Sequence, residues 1–323
     1  MATILVTGGA GFIGSHTCKA LADHSLTPIT FDDLSRGHAD NVRWGPRVTA
    51  DILDTAALDA TFKRYQPKAV IHFAALAYVG ESVLKPLDYY RTNVGGFVNM
   101  LDAMVRNGAN TIVFSSSCAT YGIPDQLPIA ETAPQRPINP YGSSKLACEQ
   151  ILREAASAYG LRFAIIRYFN ACGADPAGEL TERHHPETHL IPLAIDAAMG
   201  KIPLLRIFGS DYPTSDGTCE RDYIHVSDLA LAHVQALRYL DDGNLSLVAN
   251  LGTGKAHSIL DIIATVEQVT GRPMPIEWAD RRPGDPPTLV ADASTARKLL
   301  QFEPRYSDLE TIITTAERSR RRS

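Results

Sequence analysis

Short apolar runs rich in β-branched residues recur along the first half of the chain. Those at 3–7, 28–32, 47–50, 69–73, 111–115 and 162–168 predict buried strands. Between them, stretches at 12–23, 55–64, around 86–106 and 140–158 carry apolar residues at helical spacing and predict helices. Strands without a polar face, alternating with amphipathic helices, predict a parallel sheet covered on both sides: an α/β, Rossmann-type doubly wound fold. After about residue 172 the texture changes. Residues 173–189 are irregular and rich in Gly, Pro, Glu and His, and shorter elements follow at 190–199, 204–208, 227–240, 247–251, 258–270, 293–300 and 308–318. We therefore expect a sheet domain over 1–172 with 223–257, and a smaller mixed α/β substrate-binding domain over 173–222 with 258–323.

The first strand runs straight into Gly8-Gly-Ala-Gly11-Phe12-Ile13-Gly14 and then a helix. Strand, glycine turn and helix in that order are the context in which a helix N-terminus receives a dinucleotide pyrophosphate. The second strand ends in Asp32 and Asp33, and Asp32 lies 18 residues beyond Gly14. A carboxylate there accepts hydrogen bonds from ribose hydroxyls and repels a 2′-phosphate, which favours NAD over NADP. Asp51 and Ile52, at the next strand end, are placed to flank adenine. The small residues after Phe73, Ala74 and Ala75, permit close approach to the cofactor, and His72 before them reads as a structural histidine.

The densest chemistry lies at Asn139-Pro140-Tyr141-Gly-Ser-Ser-Lys145. Pro140 suits the first turn of a helix, and Tyr141, Lys145, Glu149 and Leu152 then share one face. A free phenol titrates near ~10, so a useful base at neutral pH needs its pKa lowered by roughly 3 units. A neighbouring ammonium supplies part of that and a cationic cofactor ring the remainder. Ser117, at the end of the fifth strand, completes a candidate catalytic set with Tyr141 and Lys145.

Composition and charge narrow the classes. The 323 residues are 45% hydrophobic and 21% charged with a formal net charge of −5, which gives no electrostatic footprint for nucleic acid or membranes. No apolar run approaches the ~18 residues of a membrane span. Five widely spaced cysteines without a C-x-x-C read as reduced thiols, and the chain enters its first strand at once, leaving no room for a signal peptide; a cytoplasmic location is expected. The basic stretch 318–322 reads as a solvated, frayed end. His184, His185 and His189 lack a paired i, i+4 spacing, and no metal is expected.

Ser117, Tyr141, Lys145 and the glycine turn resemble the extended short-chain dehydrogenase/reductase family. His72-Phe-Ala-Ala75, Gly80-Glu-Ser-Val83, Phe114-Ser-Ser-Ser117, Tyr168-Phe169-Asn170, the 209–222 stretch and Arg282-Pro-Gly-Asp285 look like motifs of its UDP-sugar 4-epimerases, from residue 4 to about 293. The resemblance implies reversible inversion at C4 of a UDP-sugar by transient hydride transfer to tightly bound NAD, through a 4-keto sugar. The glucose/galactose pair comes first, with xylose/arabinose or N-acetylhexosamine donors as alternatives.

It implies Tyr141 as base, Lys145 as its partner on the nicotinamide ribose, and Ser117 on the O4 oxygen. Further cofactor contacts fall to Ala77, Thr92 and Phe169. Substrate contacts fall to Asn170, His189, Leu190, Arg206, Ile207, Phe208, Arg221, Arg282, Asp285 and Leu289. Ala77 stands where the pattern often has lysine, and His189 where it often has asparagine. Helices 86–106 and 140–158 resemble those of a four-helix contact, which implies a homodimer. A 4,6-dehydratase would carry Asp-Glu after Ser117, where this chain has Cys118-Ala119. A net dehydrogenase and a non-catalytic NAD sensor are the remaining rivals.

Overall fold

The computed structural model describes residues 2–282 and 285–322. Pro283 and Gly284, part of the expected Arg282–Asp285 motif, lie outside the described residues. The first half runs β1 (Thr3–Thr7), α1 (Phe12–Asp23), β2 (Thr27–Asp32), β3 (Arg47–Thr49), α2 (Thr55–Tyr65) and β4 (Ala69–His72). It continues with α3 (Val79–Leu84), α4 (Pro86–Tyr89), α5 (Gly96–Arg106), β5 (Thr111–Ser117), α6 (Pro140–Tyr159), β6 (Arg162–Tyr168) and β7 (Asn170–Cys172). The second half holds α7 (Leu190–Ala198), β8 (Leu205–Phe208), β9 (Glu220–Arg221), β10 (Tyr223–His225), α8 (Val226–Asp241) and β11 (Leu247–Leu251). It closes with β12 (His257–Ser258), α9 (Ile259–Thr270), β13 (Ile276–Ala279), β14 (Thr288–Leu289), α10 (Ser294–Leu300) and α11 (Leu309–Arg322).

Seven strands form one sheet in the order β11-β6-β5-β4-β1-β2-β3, every pair parallel. Strand order reverses after β1, which places the topological switch point, and hence the ligand crevice, between β1 and β4. One core lies on each face. On one side Ile4, Val6, Ile71 and Val113 pack against Leu21 of α1 and Leu229 and Leu237 of α8. On the other, Leu5, Val70 and Ile112 meet Phe62 of α2, Phe97 and Met104 of α5, and Leu152 of α6. Burial on both faces is why these strands read as continuous apolar runs.

A second core gathers Ile191 and Ile195 of α7, Ile262 and Val266 of α9 and Ile312 and Ile313 of α11, beside the small sheets β13-β8 and β12-β9-β14. Helix α10, expected with the substrate-binding part, instead packs Ala296 and Leu300, with Phe302, into the core beside the main sheet.

Two further expectations are corrected. The long helix around 86–106 is not regular: a π-turn over Tyr90–Gly95 separates α4 from α5. Inside it Asn93 bonds both the N–H and the C=O of Leu76 (2.8 and 3.0 Å) and the Ser144 hydroxyl (3.0 Å). The irregular turn thus ties the loop after β4 to α6, a use π-turns often have near functional sites. The basic end is not frayed, because α11 runs to Arg322 and Arg320 is ion-paired with Asp196 of α7.

Helix α6 is locked to the sheet by a buried ion pair. The Arg167 guanidinium donates Nε and Nη2 to the two oxygens of Glu149 (2.9 and 2.6 Å), with both side chains shielded from solvent. Ser116 donates to Glu149 (2.6 Å), and Arg167 reaches the Tyr121 hydroxyl (2.8 Å), which donates to Asn250 (2.7 Å). Although burial opposes its charge, Arg167 holds Glu149 below the usual carboxylate range. Breaking one side of such a pair strands the other charge in a dry interior. Glu149→Gln is expected to cost about 3–5 kcal/mol of stability, read by denaturant unfolding near neutral pH. A depressed folded pKa contributes stability above the unfolded value, near ~4.3, and loses it as pH falls through the folded value. The gap between wild type and variant should therefore narrow below about pH 4.

Candidate active site

The carboxyl ends of the strands open into one cleft of about 1650 Å³. At one end, Gly8 has φ +72° and a Cβ on Gly14 would stand 2.2 Å from the Gly8 carbonyl oxygen. Only bare backbone allows α1 to approach β1 this closely. Gly11 precedes the helix and brings no side chain to cap it, so the first-turn N–H groups are left for a ligand. Asp32 accepts from the N–H groups of Ala10 (2.9 Å) and Leu34 (2.8 Å), one on each oxygen, which orients the carboxylate and leaves lone pairs for hydroxyl donors. Arg36 also lines the cleft, but both its bonds go to Glu81 (2.9 and 3.0 Å) and it stacks on Tyr78. These residues fit a dinucleotide without a 2′-phosphate.

At the middle of the cleft stand Ser117 and Tyr141. Asn139 caps α6 by accepting from Gly142 N–H (2.8 Å), and Pro140 opens the helix as its residue type predicts. A Cβ on Gly142 would lie 2.4 Å from the Ala119 carbonyl oxygen, so glycine is what lets α6 close against the turn after β5. That contact brings Tyr141 beside Ser117, whose hydroxyl accepts from Ala119 N–H (3.1 Å). Lys145 is buried beneath, donating to the Ser115 carbonyl (2.9 Å) with its ammonium 5.1 Å from the centre of the Phe114 ring.

The electrostatics differ from the simplest expectation. Burial, and then the neighbouring Tyr168 hydroxyl, push the Tyr141 phenol well above its ordinary range, while Ser117 favours the anion. Burial also lowers Lys145, to about 8. The lysine alone therefore does not make Tyr141 a base, because desolvation disfavours the phenolate more than nearby groups favour it. A positive charge entering the cleft is what the ionisation needs. Cys118 is pushed up to about 12 by burial, so its thiol is no acid–base group at neutral pH. His72 is buried, bonded to the Thr7 hydroxyl (2.8 Å) and held neutral by burial, as a structural histidine.

The far end of the cleft collects the remaining candidates. Asn170, His189, Leu190, Arg206, Phe208, Arg221, Arg282, Asp285 and Leu289 all line it. Arg221 does not pair with its neighbour Asp222. It is ion-paired to Asp285, while Asp222 accepts from the N–H groups of Thr253, Gly254 and Ala291 and so stitches the loop after β11 to the segment after β14. Arg282 stacks on Phe208, its guanidinium 4.0 Å from the ring centre.

The cofactor-side residues Gly8, Gly11, Phe12, Ile13, Gly14, Asp32, Asp33, Asp51, Ile52, Phe73, Ala74, Ala75, Ala77, Thr92 and Phe169 line the other half. Two expected residues do not reach the wall. Lys145 lies behind Tyr141, and Ile207 points into the second core because strand alternation turns Arg206 and Phe208 toward the cleft and Ile207 away. Tyr78, Tyr168 and Glu182 were not expected there and line it. The signal for Tyr168 in the sequence was its place at the end of the 162–168 strand, and the structure pairs it in register with Ser117. Tyr78 and Glu182 sit on loops whose course no periodicity describes.

A cradle of backbone N–H groups, a ribose-directed carboxylate, and a Ser/Tyr/Lys set at the carboxyl edge of a parallel sheet define a nucleotide-dependent enzyme of the reductase–epimerase type. The chain belongs to the NAD dependent epimerase/dehydratase family, whose model matches residues 4–252. Over 97% of its length it is 51% identical to a UDP-glucose 4-epimerase of Rhizobium leguminosarum bv. trifolii, covering 96% of that protein. The crystal structure of UDP-glucose 4-epimerase from Brucella ovis in complex with NAD superposes with a TM-score of 0.96 at 54% identity, over 98% of both chains. The Bifidobacterium longum UDP-glucose 4-epimerase in complex with NAD+ and UDP gives 0.94 at 36% identity, over 99% of this chain and 98% of that one.

Gly142→Ala tests the positioning argument. The added carbon must displace the Ala119 backbone and carry Tyr141 away from Ser117. An ångström-scale misplacement of this kind is expected to lower kcat about 100-fold, with folding preserved by circular dichroism.

Proposed function

We propose that this chain catalyses reversible C4 epimerisation of a UDP-sugar, with UDP-glucose and UDP-galactose as the leading pair. The observation that carries it is the meeting of Ser117 and Tyr141 in mid-cleft, between the dinucleotide cradle and a wall of Arg221, Arg282 and Asp285. NAD would supply a reversible hydride acceptor, and the Gly8–Gly14 turn, Asp32, Asp33 and the Phe73–Ala75 strand end would hold it, with Asp51, Ile52, Ala77, Thr92 and Phe169 around it.

Ser117 and Tyr141 bind the O4 oxygen. Tyr141 would accept the O4 proton and return it, and the positive ring that NAD would bring is the charge that favours its anion against burial. Lys145 braces this side from behind. Arg221 and Arg282 suit a diphosphate, and Asp285 suits ribose hydroxyls. Asn170, His189, Leu190, Arg206 and Phe208 complete the uridine side, while Ile207 supports them from the core. Leu289 borders the sugar, and its intermediate bulk leaves room for pentose and N-acetylhexosamine donors as second readings. Cys118 and Ala119 supply no acid–base pair for eliminating water, which disfavours a dehydratase.

The two-part division at 172/173, 222/223 and 257/258 fits this arrangement, with residues 294–302 joining the sheet part. A homodimer is supported by Leu87, Tyr90 and Val98, large apolar side chains left exposed on and beside α4 and α5. A cytoplasmic location is supported by five free thiols. No helix among the described residues is long and apolar enough to cross a membrane.

Given UDP-glucose without added NAD, the purified protein should yield the C4 epimer by NMR, and Tyr141→Phe should lower kcat by about 100-fold or more. A keto sugar appearing only with added NAD would make it a net dehydrogenase instead. In light scattering, the wild type should run as a dimer and Val98→Glu as a monomer of unchanged fold; a wild-type monomer would sink the dimer reading.

A further inference from the structure

The irregular loop between β7 and α7 gathers a set of metal-binding side chains. Ligand atoms of Glu182, His184 and His189 all lie within 4.8 Å of one another, although no spacing in the sequence announces them. The Glu182 side chain is more than nine-tenths buried, and its Oε1 has no hydrogen-bond partner. Yet that oxygen stands 3.2 Å from His184 Nε2 and 3.3 Å from His189 Nδ1. Zinc bonds to nitrogen and oxygen are about 2.0–2.2 Å long, so donors on a tetrahedral ion are separated by roughly 3.3 Å. The buried oxygen thus lies within ion-pair range of both imidazoles without making a hydrogen bond to either, at the separation of donors that share one ion.

We propose that Glu182, His184 and His189 form a divalent-metal site of zinc type. Two imidazoles and a carboxylate match zinc better than magnesium or calcium, which prefer an all-oxygen shell. The fourth position is open to water, because all three residues line the cleft. Around the three, Glu187 Oε1 lies 2.9 Å from His189 Nδ1 and takes that nitrogen's proton-side contact when no ion is bound. Arg320, 3.8 Å from Glu187, offsets one of the two carboxylates. The His184 ring packs edge-on against Phe12 (6.1 Å) at the start of α1 and against Tyr78 (6.0 Å). An ion here ties the 182–189 loop down beside the dinucleotide cradle and fixes the approach to α7, where His189 and Leu190 meet the cleft.

The test uses the full chain, with any affinity tag removed, stripped by chelator and reloaded with zinc. Elemental analysis after gel filtration should find about one zinc per chain, and zinc should raise the melting temperature by a few degrees in a way that chelator reverses. His184→Ala should lose both effects, whereas His185→Ala, on the same loop but outside the cluster, should keep them. Retention of zinc by His184→Ala, or no zinc and no thermal shift in the wild type, would overturn the proposal. If His184→Ala does not fold, competition against a chromophoric zinc chelator with wild type and His185→Ala decides it: affinity weaker than the chelator's in both refutes the site.

Discussion

The buried pair between Glu149 and Arg167 is the constraint on which the site depends. Helix α6 carries Tyr141 and Lys145 at its start and Glu149 two turns further on, all on one inward face. Arg167 belongs to β6, and its other contacts reach Tyr121 and the Glu131 carbonyl. One bidentate interaction therefore fixes the rotation and depth of the helix against the sheet edge and joins it to the loops that roof the cleft. Buried ion pairs are poor sources of net stability but good sources of register, since a slipped helix would strand two charges. The catalytic candidates inherit their precision from this lock.

Close backbone contact does the complementary work. Gly14 against Gly8 and Gly142 against Ala119 bring helices to distances that any side chain would forbid. The first opens a helix N-terminus to the cleft, and the second presses a tyrosine toward a serine. Asp222 plays a similar part on the far side, spending its oxygens on the N–H groups of Thr253, Gly254 and Ala291 rather than on neighbouring Arg221. Arg221 is thereby free to pair with Asp285, and two residues 64 positions apart become one polar wall.

A buried phenol and a buried ammonium within a few ångströms of a large cleft also explain how base strength can be conditional. Desolvation keeps Tyr141 protonated and lowers Lys145 toward neutrality. Burial thus opposes ionisation of the phenol, and a positive charge beside it would favour the anion.

Much was determined by local sequence. Period and residue type placed the main strands, the glycine turn with Asp32, and the helix with Pro140, Tyr141 and Lys145, because a parallel sheet imposes continuous apolar strands and sends every functional strand end to one edge. The π-turn at Tyr90–Gly95 was not legible, since its cause is Asn93 bonding to Leu76 and Ser144 far along the chain. Ile207 was misjudged because facing depends on which side of a short strand meets a core. The sign of the Tyr141 shift depended on burial, a property of the whole fold. The Glu182, His184 and His189 cluster likewise exists only where an aperiodic loop folds back on itself. Sequence fixes what repeats along the chain; tertiary structure decides what meets across it, because desolvation and contact are set by distant segments.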